Sequence, residues 1–217
     1  DEKLEWLRKD LATVDKQTPV FVGMHVPLHK TPTLDDTGRT TTSYNMEDAE
    51  RFVECLEGYD VNILTGHTHY NFNITKSERL REHNIAAVCA TWWWTGHTDY
   101  AGNHICRDGS PGGYKIFEAT GSDVRWYYKS IGKDAGYQFR TYDLNECLLE
   151  KSDFCPSASD SDFAKYAFGY DRANDNNEVL INVFDWADDW KIEVTDLSDD
   201  SSLAVQRVRT HDPLHVI

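Results

Sequence analysis

Three histidines in this 217-residue sequence have the type and spacing to do chemistry: His25, in Met24-His25-Val26-Pro27, and His67 and His69, in Gly66-His67-Thr68-His69. Neutral imidazole is the commonest protein ligand for ions such as Zn, Fe, Mn or Co. His67 and His69 stand one residue apart, so in an extended segment their side chains would face opposite ways. Gly66 is expected to permit the tight bend that turns both rings toward one cavity. A cluster of metal ligands is one reading; exposed or hydrogen-bonded loop histidines are the other, and spacing alone leaves both open.

The elements around these residues must bring them together. Leu4, Leu7, Leu11 and Val14 recur at helical spacing and predict a helix over 3–14. Val20-Phe21-Val22-Gly23-Met24 is short, apolar and β-branched, which suits a buried strand ending at His25. A polar loop over 29–45 follows. Asn45 is expected to cap a helix over 46–57, and Val61–Leu64 to form a second strand that runs into Gly66. Strand, helix and strand make a βαβ unit with histidines at both strand tips, where open α/β sheets place ligands. Further strands are expected at Ile85–Ala90, Tyr114–Phe117, Val124–Tyr128, Gln138–Tyr142 and Leu203–Val208. A hairpin of Val179–Phe184 with Trp190–Val194 is expected across Asp185–Asp189. Residues 145–177 read as linker or long loop, and the composition shift near 143 is the candidate domain boundary.

Composition narrows the function classes. Hydrophobic residues make up 40% of the chain, which predicts a packed core. No apolar run approaches the roughly 20 residues of a membrane helix. The net charge of −15 argues against affinity for nucleic-acid backbone, although bound metal ions could still supply local positive charge for a phosphate. The five cysteines include no C-x-x-C pair and read as mostly buried free thiols with at most one or two disulfides.

The strings Gly66-His67-Thr68-His69 and Met24-His25-Val26-Pro27-Leu28 together resemble the C-terminal motifs of the calcineurin-like metallophosphoesterases. Glu5-Trp6-Leu7-Arg8-Lys9-Asp10-Leu11 resembles the helix that precedes them in that family. Trp92-Trp93-Trp94-Thr95-Gly96, the stretch Arg107–Tyr114, Val183–Trp186 and Trp190–Val194 resemble bacterial members with an additional C-terminal β domain. The resemblance implies an α/β (α+β) fold: over 1–142, the second half of a four-layer αββα sandwich, then a β-rich domain over 143–217. It implies a phosphoester substrate, two divalent metal ions (Mn, Fe or Zn) and attack of a metal-bound hydroxide on phosphorus. His25 and His67 would bind one ion and His69 the other. It also points to a periplasmic or secreted location.

The family's earlier motifs, Asp-x-His, Gly-Asp and Gly-Asn-His-Asp/Glu, do not occur before His25. The expectation is therefore a fragment with a partial or empty metal site and little turnover alone. Gly102-Asn103-His104 spells part of a missing motif but follows Gly66 and continues with Ile105, so it reads as a structural loop.

Other residues are weaker candidates. His29 is a possible substrate contact, with a solvated loop position as its alternative. Trp92, Trp93 and Trp94 suit partial core packing, and His97, Asp99 and Asp108 receive no role. His83, His211 and His215 are expected at the surface, and Asp185, Asp188 and Asp189 in a solvated turn. The alternative function is a non-catalytic module in which Trp126, Trp186 and Trp190 bind a glycan or protein.

Overall fold

The computed structural model describes residues 2–36, 39–88 and 105–216. The Trp92–Trp94 run, His97, Asp99 and Gly102-Asn103-His104 lie outside them. The main sheet holds β1 (Pro19–Gly23), β4 (Asp60–Thr65), β5 (Phe72–Ser77) and β6 (Leu80–Asn84) in the order β1-β4-β6-β5. β1, β4 and β6 run parallel, and β5 pairs antiparallel with β6.

Side-chain alternation gives this sheet two different faces. On one, Val20 and Val22 of β1, Val61 and Ile63 of β4 and Leu80 of β6 pack with Leu11, Leu28, Ala49, Leu56 and Tyr59. This core lies under α1 (Glu2–Leu11) and α2 (Ala49–Cys55), and Tyr59 donates its hydroxyl to the Leu11 carbonyl. On the other face Phe21 meets Phe117 edge-on, and His83 lies against both Phe117 and Trp126. Those two aromatics belong to the antiparallel hairpin β7 (Gly113–Thr120) and β8 (Asp123–Ser130), which covers this face.

The expected βαβ unit is present as β1, α2 and β4. Two short ladders complete the strands: β2 (Thr33–Leu34) with β3 (Thr40–Thr41), and β11 (Val194–Thr195) with β12 (Ser202–Leu203). Short helices α3 (Lys151–Phe154) and α4 (Asp160–Tyr166) interrupt the otherwise irregular stretch read as loop, and α5 (Pro213–Val216) lies near the C-terminal end. The whole is a mixed α+β, strand-rich fold.

Several expectations are corrected. Val179–Phe184 does not pair with Trp190–Val194: β10 (Val179–Val183) pairs antiparallel with β9 (Phe139–Asp143) instead. Asp185 is buried as the counter-ion of Lys115, so the turn after β10 is not the solvated one a hairpin there would need. Asp188 and Asp189 do lie exposed in a turn, as expected, with Asp188 paired to Arg207 at 2.7 Å. Of the strand expected at Ile85–Ala90, residues 89–90 lie outside the described residues, and 85–88 follow β6 without forming a strand of their own. Asn45 does not cap α2; its amide donates to the Pro27 carbonyl, and Asp48 holds the cap position without a side-chain bond. His83 has no exposed surface, because the β7–β8 hairpin closes over it.

Candidate metal-binding site

The parallel ladder of β1 and β4 continues past the strands, and that continuation sets the site. Met24 N–H donates to the Leu64 carbonyl, and Gly66 N–H donates to the His25 carbonyl at 3.1 Å. The backbones of His25 and Gly66 are thus joined directly where both strands end. His25 Nε2 and His67 Nδ1 then lie 3.1 Å apart, with the ring planes nearly perpendicular. In the metal-free protein one ring nitrogen donates and the other accepts.

The bend that achieves this is not made by Gly66. A Cβ on Gly66 would meet only the Ile85 carbonyl, at an ordinary 3.9 Å. The histidines themselves take the left-handed backbone, His67 with φ 68° and His69 with φ 59°. Thr68 N–H donates to the Gly66 carbonyl at 2.7 Å, closing a three-residue turn centred on His67. Such conformations cost an L residue about 1–3 kcal/mol and persist only where their surroundings hold them. Here Asn84 does so from β6, its amide donating to Thr68 Oγ1 and to the Tyr70 carbonyl.

Donor chemistry and spacing fit one ion at two adjacent corners. Two nitrogens each about 2.0–2.1 Å from a zinc ion in tetrahedral geometry are separated by roughly 3.3 Å. The His25 and His67 rings are solvent-exposed and open to an incoming ion. His69 is half-buried and does not complete a three-ligand group. Among the described residues no cluster of three or more His, Cys, Asp or Glu side chains is gathered as an ion would need.

His29 lies elsewhere. It is 2% exposed, and its Nδ1 sits 2.6 Å from Glu82. Its Nε2 has no hydrogen-bond partner among the described residues. It is therefore buried beneath the loop, which corrects the solvated loop position expected for it and keeps its ring from reaching a substrate in solvent. The residue that sequence reasoning missed is Glu82, whose carboxylate receives the backbone of the His25 loop; its place in a polar stretch without apolar alternation left no signal.

The tryptophans proposed as a binding platform are half-buried and engaged internally. Trp126 packs on His83 and under Arg81. Trp186 meets Trp190 edge-on, with the Arg207 guanidinium over its ring. Among the described residues no helix is long and apolar enough to cross a membrane.

The family model described as the C terminal of calcineurin-like phosphoesterase matches residues 82–217, well over half of the chain. The match starts at Glu82 and leaves out the three histidines. No curated protein and no solved structure matches the chain.

Proposed function

The chain belongs to the calcineurin-like phosphoesterases, and from that membership we propose that it contributes imidazole ligands to a metal-dependent phosphoester hydrolase. The family is generally metal-dependent. The observation that carries the proposal is the approach of His25 Nε2 to His67 Nδ1 at two parallel strand tips. In this reading His25 and His67 hold one divalent ion (Mn, Fe or Zn) and His69 serves a second. Among the described residues no carboxylate joins His25 and His67 in a group of three ligands.

A divalent ion bound there would acidify a coordinated water and offset phosphate charge. That offset matters in a chain of net charge −15, which by itself repels an anionic phosphoester. The protein's part is to aim the two rings, hold their backbone rigid through the Gly66–His25 bond and leave them open to solvent. Either a phosphomonoester or a diester fits this chemistry.

Zinc titration into the wild-type chain and His67→Ala tests the reading. Binding that is weakened at least tenfold by the substitution is expected; equal binding would overturn it. Assayed alone with Mn²⁺ and p-nitrophenyl phosphate, the chain should show little turnover. Full activity would show that the chain completes the metal spheres by itself.

A further inference from the structure

We propose that Glu82 is the positioning residue of the histidine pair, because its single carboxylate fastens both histidine-bearing loops to the central strand β6. The proposal rests on the metal-ligand reading above for its consequence, and on the hydrogen bonds of one buried side chain for its geometry.

Glu82 is 2% exposed and points into the helix-covered face of the sheet. Oε1 accepts from the Leu28 N–H at 2.8 Å and shares the Thr65 hydroxyl, 3.2 Å away, with Asn84 Oδ1 at 3.1 Å. Oε2 accepts from the His29 N–H at 3.1 Å and from the His29 ring Nδ1–H at 2.6 Å. Leu28 and His29 close the loop that begins at His25, and Thr65 immediately precedes the turn that carries His67. The two loops come from different strands, and this one side chain holds both.

A carboxylate suits this place because all four partners are donors and an ionised carboxyl offers only acceptor sites. A glutamine of the same shape would turn an NH₂ group toward two of them. One loop would then lose its anchor while the apolar packing around the side chain stayed the same. Partners that orient metal ligands in this way typically change metal affinity 10–100-fold when replaced.

The test uses the full chain and Co²⁺, whose d–d absorption reports both affinity and ligand arrangement. Glu82→Gln should lower Co²⁺ affinity by about 10–100-fold and alter the band, while far-UV circular dichroism and cooperative unfolding are kept. In the metal-free state it should also remove the ring-to-ring NMR contact between His25 and His67. A folded Glu82→Gln chain with wild-type affinity and an intact ring contact would overturn the proposal.

If Glu82→Gln does not fold, Glu82→Asp decides, since it keeps the charge and, one methylene shorter, cannot reach both the Leu28–His29 backbone and the Thr65 hydroxyl. Loss of the ring contact and a weaker Co²⁺ complex support the proposal, and no change in either overturns it. If wild type binds Co²⁺ no better than His67→Ala, the metal reading fails. The effect of Glu82→Gln on the ring contact then still decides the positioning role.

Discussion

Lys115 and Asp185 form an ion pair sealed from solvent, with Nζ 2.8 Å from Oδ2 and neither side chain exposed. Asn73 joins them, accepting from Lys115 Nζ and donating to Asp185 Oδ1. Burial pushes the Lys115 pKa down and the Asp185 pKa up, each toward its neutral form. The pair thus fixes β7 and the segment after β10 to β5.

Breaking that pair from one side strands the other charge in the core. Lys115→Met and Asp185→Leu should each cost about 3–5 kcal/mol in denaturant unfolding, whereas the double variant should recover most of the loss. Losses that simply add would refute the coupling.

The buried ring of His83 predicts a pH dependence. Its nitrogens lie 2.8 Å from Asn73 Oδ1 and 3.0 Å from Asn62 Oδ1, an arrangement that by itself would suit a cationic ring. Burial, then Lys115, then Arg81 oppose that charge and lower the pKa to about 2. Turning the Asn62 amide over resolves the conflict, because its Nδ2 has no other partner among the described residues and would donate to a neutral ring. Since the unfolded chain binds the proton more readily, His83 stabilises the fold fully above pH 6.5 and loses that contribution as pH falls toward 2. The slope from this group reaches about 1.4 kcal/mol per pH unit. Melting temperatures measured from pH 7 to 5 should fall less steeply in His83→Asn than in wild type; parallel profiles would contradict the assignment.

The left-handed turn at His67 carries a stability cost that can be separated from the ring. His67→Gly and His67→Ala both remove the imidazole, but only glycine relieves the φ of 68°. The glycine variant should be the more stable of the two by about 1 kcal/mol. Equal thermal stability would show the turn to be unstrained.

Gly113, at the start of β7, has no room for a methyl group. An added Cβ would lie 2.6 Å from the Lys129 carbonyl and 2.7 Å from the Tyr128 ring. Gly113→Ala should destabilise the chain by about 1–3 kcal/mol. Gly136→Ala, where nothing lies within 4 Å, should leave unfolding almost unchanged.

The βαβ unit was legible because β1 and β4 place apolar residues on the helix-covered face and the helices recur at their own period. The meeting of His25 with the Gly66 turn followed from that topology. β6 was not legible: it buries Glu82, His83 and Asn84, and hydrophobic patterning cannot register a strand whose interior is polar. Each of these residues is satisfied by partners remote in sequence, as are Asp185 and Lys115, so local composition mistook core for surface and for turn. The left-handed histidines were hidden for a related reason. Glycine was the natural place to expect a bend, and only the side chain of Asn84 explains why histidines hold it.

The bonds from Asn73 to Asp185 span 112 residues of sequence. On a ribosome adding about 5–20 residues per second, Asp185 emerges on the order of 10 s after Asn73. During that interval the hairpins β5–β6 and β7–β8 can form, but Asn73 and Lys115 have water in place of their final partner. The nascent chain therefore has a vulnerable interval in which the underside of the histidine sheet is wet and open to proteases or chaperones. It closes when the segment after β10 arrives.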